Sequence, residues 1–489
     1  MVDTRFPADL DLPWKTAYRG ILERSDHRLA AVGPTRRPLA QRLLNHGFES
    51  ESPLRDDPMS TQATQHKTID PTASNPIPPD PILEQAAGNI ARWLIDRAVQ
   101  TQRAAAWAQP TADKSAHGKW LPPHLFDGST GVALFLAAWS QITRDEASRE
   151  LTLKAVYPLR ARLLQWAAEA SDSQARTGYL GGGFFGIGSF LYGLSKIAVL
   201  IDDAELAKET VHIADQLITP QGLSNQDEHE LIGGLPGLLA ALASVAEAAV
   251  CYDLTFDFPT LAHHCGLELM ALADRGFPGM RSGLGHGLSG MAVALVHLHS
   301  IDGKPCWTRL IQRCLAAEAK LFDADQRSWV HPETRVVVEQ NAWCHGAAGM
   351  LLARSQLMGY GIYPADQASC RDLDICLQLT ETAPLPLRDH LCCGRIGRAL
   401  VFDTAGAILD RPDLRITARR LGREVARRCP EGIRAQGSEN DASSTQLDPS
   451  LMNGLAGVGY GLLRLSRPRL PDVLTLESIS HPLLRSVPA

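Results

Sequence analysis

The chain has 489 residues, of which 45% are hydrophobic and 21% are charged, and its formal net charge is -6. This length is enough for up to about three domains of average size. The negative balance and the lack of a broadly basic face exclude an electrostatic case for binding nucleic acid. No uninterrupted run of about 18 apolar residues occurs, so we expect no membrane span.

The cysteines and the N-terminus indicate a cellular compartment. The first residues lack the basic and apolar regions of a secretory signal peptide. Ten cysteines are scattered at irregular spacings through a long chain, unlike the dense framework of a small secreted domain. We therefore predict a cytoplasmic protein whose thiols are reduced, which is the state that a thiolate metal site requires.

Proline marks the end of an N-terminal extension. Residues 1–81 are polar with little periodicity, and residues 71–81 contain five prolines, which block both helices and sheet ladders. We predict a largely disordered extension over residues 1–81 and one domain over residues 82–489, whose first helix begins near Ile82.

A glycine frame repeats through that domain. Two glycines three residues apart precede an apolar run, and successive frames lie 48 to 60 residues apart, a period typical of stacked supersecondary units. The first glycines of the seven frames are Gly128, Gly183, Gly234, Gly287, Gly346, Gly394 and Gly454.

The segments that follow and separate the frames predict two layers of helices. The runs after the frames have few charges and must be buried on all sides, whereas intervening segments such as Leu159–Ala170 and Glu205–Leu217 are amphipathic. We predict an all-α toroid of seven inner and seven outer helices. The glycines would tolerate unusual backbone angles where inner helices crowd together. Helix N-termini with free N–H groups would converge at one end and favour anions.

One strongly basic run stands out from the acidic average. It extends from Arg411 to Arg428 and is interpreted as the solvated face of an outer helix, with a docking patch for an acidic peptide as the alternative.

Three cysteines adjoin consecutive frames. Cys344 stands in Trp-Cys-His-Gly, and Cys392 and Cys393 stand in Leu-Cys-Cys-Gly. Consecutive frames are neighbours in a toroid, so these thiols would converge, with His286 and His345 beside them. Three thiolates with an open fourth position are typical of a catalytic zinc site. The alternative is that the adjacent cysteines are small buried residues.

Together these motifs resemble the lanthionine synthetase C-like (LanC-like) cyclases, from about residue 82 to the C-terminus. The elements that carry the resemblance are Asp127-Gly128, His286-Gly287, Trp343-Cys344-His345-Gly346, Cys392-Cys393-Gly394 and the stretch from Leu451 to Arg464. The Cys-Cys-Gly variant is most similar to the cyclase half of class II lanthipeptide synthetases (LanM). Such enzymes serve lanthipeptide and bacteriocin biosynthesis by adding a peptide cysteine to dehydroalanine or dehydrobutyrine.

The resemblance also implies roles for individual residues. Cys344, Cys392 and Cys393 would bind Zn²⁺, and the thiol of a dehydrated lanthipeptide precursor would take the fourth position. His286 would be the catalytic acid and base, although it could instead cap or orient a helix, and His345 could assist or only pack. Glu230 matches an acidic residue of the family, with Asp227 and Glu228 as nearby alternatives.

The chain departs from the single-domain cyclases in three places. Their second cysteine cluster is usually Cys-His-Gly, and the arginine that some relatives carry four residues before the first zinc cysteine is Gln340 here. About 80 residues precede the domain, too few for a kinase-like dehydratase. We expect either a cyclase served by a separate dehydratase and an exporter, or the remnant of a larger enzyme. No glycine-rich nucleotide loop supports use of ATP.

Two other functions stay open at this point. One is a non-catalytic zinc-bearing protein that captures thiols. The other is a carbohydrate-active enzyme, which would need two facing carboxylates, and the frames offer mainly Asp127 and Glu230.

Overall fold

The computed structural model describes residues 78–109, 120–169, 181–334, 341–364, 366–430 and 447–477. The predicted extension falls almost wholly outside these residues, so the domain boundary at residue 81 stays a prediction. Gln340 also lies outside them.

Helices dominate the described part of the chain. In chain order they are α1 (Pro81–Arg97), α2 (Ser129–Thr143), α3 (Glu146–Glu169), α4 (Gly186–Leu200), α5 (Ala204–Leu217), α6 (Pro220–Ser224), α7 (Leu235–Cys251), α8 (Phe258–Asp274), α9 (Leu288–Asp302), α10 (Pro305–Ala319), α11 (Ala347–Gly359), α12 (Gln367–Thr382), α13 (Arg395–Ile408), α14 (Pro412–Ala426) and α15 (Leu455–Ser466). Two antiparallel hairpins pair β1 (Val99–Gln100) with β2 (Ala105–Ala106) and β3 (Phe322–Asp323) with β4 (Ser328–Trp329). Among the described helices, none combines the length and the apolar character needed to cross a membrane.

Seven helices form a closed inner ring. Helices α2, α4, α7, α9, α11, α13 and α15 pack each on the next, and α15 packs on α2 to close the circle. Each inner helix also packs on at least one outer helix, and α1, the first helix of the described residues, packs on the last inner helix, α15. The predicted all-α toroid of seven inner and seven outer helices is confirmed.

Burial distinguishes the two layers as the sequence predicts. Every residue of α9 from Leu288 to Val296 is buried, so this inner helix contacts protein on all sides. The outer helix α5 instead buries one face, which includes Leu206, Val211 and Ile213. The apolar inner ring is therefore the core of the domain.

The frame glycines are required by close packing rather than by unusual backbone angles. A Cβ at the second glycine of each frame would come within 1.7 to 2.5 Å of the carbonyl oxygen six residues earlier. These glycines are Gly131, Gly188, Gly237, Gly290, Gly349, Gly397 and Gly457. Of the glycines that cap inner helices, Gly346 alone has a left-handed backbone, with φ of +87°. Gly186 of the predicted second frame also has a positive φ, of +75°. The expectation about backbone angles therefore holds at Gly186 and Gly346 and was wrong for the remaining capping glycines.

The second frame is displaced by two residues from its predicted position. Helix α4 begins at Gly186 after Phe185, and the glycine whose Cβ would meet the carbonyl six residues earlier is Gly188. The pair Gly183 and Gly186 was therefore the wrong assignment. Gly183 and Gly186 are the one pair in this run that has the frame spacing, whereas the helix is capped by Phe185, so the spacing pointed to the wrong residues.

The N–H groups at the starts of inner helices are occupied. Five of them donate to the carbonyl seven residues earlier, at 2.7 to 3.0 Å. The pairs are Ser129 with Pro122, Leu235 with Glu228, Leu288 with Arg281, Arg395 with Arg388, and Leu455 with Asp448. The expectation of free N–H groups was wrong at these positions, and anion stabilisation there rests on the helix dipoles.

The basic run from Arg411 to Arg428 lies on the outer helix α14 and its flanks. Five of its arginines form ion pairs, which are Arg411–Asp413, Arg415–Asp403, Arg420–Glu424, Arg423–Asp80 and Arg428–Asp389. The prediction of an outer helix is confirmed, and much of its charge is compensated within the chain.

We expect the substitution Gly349→Ala to lower the free energy of unfolding by about 1 to 3 kcal/mol, because overpacking forces the backbone to shift. The new Cβ would lie 2.0 Å from the carbonyl oxygen of Trp343. Urea denaturation would measure the change. Gly359→Ala at the end of the same helix is the control, because its Cβ would meet only the Ile408 side chain at 3.5 to 3.8 Å. Equal effects of the two substitutions would contradict the packing explanation.

Candidate metal centre

Three thiols meet at one point of the inner ring. The sulfur atoms of Cys344 and Cys392 lie 3.6 Å apart, those of Cys344 and Cys393 3.9 Å, and those of Cys392 and Cys393 3.4 Å. Tetrahedral zinc with Zn–S bonds of about 2.3 Å separates its sulfur ligands by about 3.8 Å. The three thiols therefore fit three corners of a zinc tetrahedron.

The loops before two adjacent inner helices supply these thiols. Cys344 stands two residues before Gly346, the N-cap of α11, and Cys392 stands two residues before Gly394, the N-cap of α13. Cys344 and Cys392 are 5% and 7% exposed, whereas Cys393 is half-buried. Solvent therefore reaches the cluster mainly beside Cys393.

A neighbouring aromatic residue anchors the first loop. The indole N–H of Trp343 donates to the carbonyl of Leu474 at 2.7 Å, and the ring packs edge-on against Phe184 at a centroid distance of 5.2 Å. Trp343 is 2% exposed, so its donor would be left unsatisfied without this bond. The bond fixes the backbone that carries Cys344.

The cluster is electrostatically suited to a cation. Hydrogen bonding with the thiols of Cys344 and Cys392 lowers the pKa of Cys393, whereas hydrogen bonding with Cys344 and Cys393 raises the pKa of Cys392. One thiol therefore ionises readily and its neighbour resists, because adjacent thiolates repel one another. A divalent metal ion would remove that repulsion, and thiolates favour soft ions such as zinc.

Two histidines adjoin the thiols. Ligand atoms of His286, Cys344 and His345 all lie within 4.8 Å of one another, and the two imidazoles stack at a centroid distance of 4.5 Å. Burial, followed by the charges of His286 and Arg281, lowers the pKa of His345 to about 4, so its ring is neutral at pH 7. The structure thus brings both predicted histidines to the cysteine cluster.

A carboxylate orients one of these histidines. Nδ1 of His286 lies 2.7 Å from Oε2 of Glu230. This contact distinguishes Glu230 from the alternatives Asp227 and Glu228. Helix α9 has no side-chain cap, so His286 does not serve as a capping residue. The six predicted site residues therefore form one continuous group at the starts of the inner helices.

Three further residues contact the cysteine loops and were missed by sequence reasoning. Asn341 accepts a hydrogen bond from the Ala348 N–H at 2.7 Å, the amide of Cys393 donates to His390 at 3.4 Å, and Arg398 donates to the carbonyl of Asn341 at 2.7 Å. None belongs to a metal-binding motif. The signal in the sequence was the arginine Arg398, three residues after the start of an apolar inner helix. The spacing of residues alone does not indicate what this arginine contacts.

The sequence of the domain matches a known protein family. The family model described as lanthionine synthetase C-like protein matches residues 119–477. A search of the curated proteins gives no match.

Among solved structures, a nisin cyclase aligns with 14% identity and a TM-score of 0.49, over 83% of this chain and 99% of that one. An unsaturated glucuronyl hydrolase from Streptococcus agalactiae aligns with 9% identity and a TM-score of 0.38, over 85% and 98%. A sugar epimerase from a ruminal bacterium aligns with 8% identity and a TM-score of 0.35, over 63% and 88%.

Proposed function

The chain belongs to the lanthionine synthetase C-like family, and from this premise we propose that it is a zinc-dependent lanthionine cyclase. Its substrate would be a dehydrated lanthipeptide precursor, made in the cytoplasm with a separate dehydratase and handed to an exporter. Within the family, the Cys392-Cys393-Gly394 variant favours kinship with the cyclase half of LanM enzymes.

One observation carries the proposal: three thiols at zinc spacing lie next to a histidine that a carboxylate orients. Cys344, Cys392 and Cys393 would hold the ion, which supplies Lewis-acid chemistry that lowers the pKa of a peptide thiol. An unassisted thiol has a pKa of about 8.5 and is mostly protonated at pH 7.

His286, oriented by Glu230, would transfer the proton in the reaction. Addition forms a bond between the peptide sulfur and the β-carbon of the dehydro residue, and the α-carbon then takes up a proton. Glu230 accepts a hydrogen bond from Nδ1 of His286, which leaves Nε2 as the nitrogen that exchanges protons. The neutral ring of His345 stacks on His286 and holds its plane.

The contacts bear on both alternative functions. A protein that only captures thiols needs the cysteines but has no use for a carboxylate-oriented histidine beside them. A carbohydrate-active enzyme needs two carboxylates that face each other. Glu230 instead bonds to His286, and the charge that raises the pKa of Asp127, after burial, is that of Asp448.

Incubation of the purified full chain with a dehydrated precursor tests the function. We expect the count of alkylatable peptide thiols to fall to zero without a change in peptide mass before alkylation. A precursor whose thiols all remain alkylatable, although the protein holds one zinc ion per chain, would favour the thiol-binding alternative.

Replacement of the third thiol tests what distinguishes this chain from the single-domain cyclases. A thiolate adds one negative charge to the centre relative to a neutral imidazole, so the substrate sulfur should be bound less tightly and be more nucleophilic. We expect Cys393→His to cyclise more slowly at equal zinc content, as measured by the rate of thiol loss. A faster variant would contradict this expectation.

A further inference from the structure

Backbone hydrogen bonds link the loops around the mouth of the ring. One chain of bonds passes through a residue of each loop, and it joins six of the seven neighbouring pairs at 2.8 to 3.3 Å. The bonds run from the N–H of Phe126 to Phe184, Phe184 to Ile232, Ile232 to Gly285, Gly285 to Cys344, Cys392 to Met452, and Met452 to Phe126. Within the described residues, the seventh bond, between Cys344 and Cys392, is missing. The ring is thus open between the two loops that carry the metal ligands.

The side chain of Arg398 spans this gap and bonds to the backbone of the opposite loop. Arg398 lies in α13, one turn after Cys392 and Cys393, and its Nη2 donates to the carbonyl of Asn341 at 2.7 Å. Its Nη1 lies 3.3 Å from the carbonyl of Thr380. Arg398 is 5% exposed and forms no ion pair within the described residues. Burial of a charged group costs free energy unless its donors form hydrogen bonds. Loss of these bonds to the carbonyls would therefore be unfavourable, so the guanidinium holds its position.

The acceptor is rigidly joined to Cys344. Asn341 stands three residues before it, and its side chain accepts from the Ala348 N–H at 2.7 Å and donates to the carbonyl of Leu379 at 2.9 Å. The N–H of Ala342 donates to the carbonyl of His345 at 2.8 Å and closes the turn around Cys344. A shift of Asn341 would therefore move the Cys344 sulfur.

We propose that Arg398 is a positioning residue that sets the separation of Cys344 from Cys392 and Cys393, and thereby the affinity of the centre for zinc. This inference rests on the proposed metal centre. A backbone hydrogen bond fixes each of the six remaining pairs of neighbouring loops, and the Arg398 guanidinium fixes the pair that carries Cys344 and Cys392. Its planar fork can bond to several carbonyls at once, which a lysine cannot reproduce.

Zinc affinity of the full chain, measured by competition with a chromophoric chelator under reducing conditions, tests the proposal. We expect Arg398→Met to weaken binding by about 10- to 100-fold, the usual cost of losing a group that orients metal ligands. Arg398→Lys should lie between Arg398→Met and the unmodified chain. Substitution of Co²⁺ adds a second readout, since a distorted centre alters the visible spectrum.

Arg395→Met is the matched control. Arg395 lies three residues earlier on the same helix and donates to the carbonyl of Pro386 at 2.8 Å, which is not in the Cys344 loop. We expect this variant to keep the zinc affinity and the Co²⁺ spectrum of the unmodified chain. Urea denaturation of the metal-free proteins separates general destabilisation from a change at the centre.

The outcomes are distinguishable. Unchanged zinc affinity in Arg398→Met, with or without a loss of stability, would overturn the positioning role and leave the proposed function standing. If Arg398→Met does not fold, Arg398→Lys decides, and affinity equal to that of the unmodified chain would overturn the role. An unmodified chain that binds no zinc would overturn both proposals.

Discussion

Replacement of Cys344 by alanine is expected to abolish stable zinc binding and to slow thioether formation by at least about 1000-fold. The sulfur of Cys344 is 3.6 and 3.9 Å from those of Cys392 and Cys393. Its loss leaves two thiols from a single loop, which cannot hold the ion from both sides. Zinc per chain, measured by elemental analysis after dialysis, and the rate of thiol loss in a dehydrated peptide would record the effect.

An exposed cysteine provides the control for this variant. Cys370 lies on the outer helix α12, away from the cluster, and Cys370→Ala should keep both zinc and activity. A Cys344→Ala variant that retains one tightly bound zinc per chain would show that the three thiols are not the ligand set.

Replacement of His286 by asparagine is expected to slow cyclisation by about 100- to 10,000-fold, the usual contribution of a positioned acid or base. Zinc binding should change little, because the proposed ligands are the three thiols. Nδ1 of His286 is held by Glu230 at 2.7 Å, which leaves Nε2 to exchange protons. The variant removes Nε2 and leaves the backbone of the loop in place. Single-turnover assays at saturating peptide separate the chemical step from binding.

His212, an exposed residue of the outer helix α5, supplies a matched histidine-to-asparagine control. Its substitution should leave the rate unchanged. If His286→Asn instead lost zinc and retained its rate per zinc-loaded molecule, His286 would be a ligand or a structural residue, and the acid–base assignment would fail.

Much of the ring could be predicted because its main packing requirement leaves a mark in the sequence. A carbonyl six residues earlier approaches so closely that each inner helix needs a glycine in its first turn, as at Gly237 and Gly457. The repeat of that glycine gives the number of units directly. Apolar runs after the frames then separate inner from outer helices. The same rule failed at Gly186, since Phe185 replaces the first glycine of this frame and only the contact with the Gly182 carbonyl identifies Gly188.

The contacts between units could not be predicted in this way. Spacing placed Cys344 near Cys392, but it carried no information on the guanidinium that joins their loops. Arg398 bonds to backbone carbonyls, and any residue can supply a carbonyl, so its partner Asn341 leaves no pattern. Likewise, three acidic residues preceded the third frame, and the distance to His286 selected Glu230.

X-ray absorption at the zinc edge, with and without a thiol-containing dehydrated peptide, tests whether the three thiols hold zinc and leave its fourth position open to the substrate. We expect three sulfur ligands at about 2.3 Å and one lighter ligand at about 2.0 Å in the free protein. Addition of the peptide should raise the sulfur count to four as its thiol takes the open position. Four sulfurs before any peptide is added, or a count that the peptide does not change, would contradict a centre built to receive a peptide thiol.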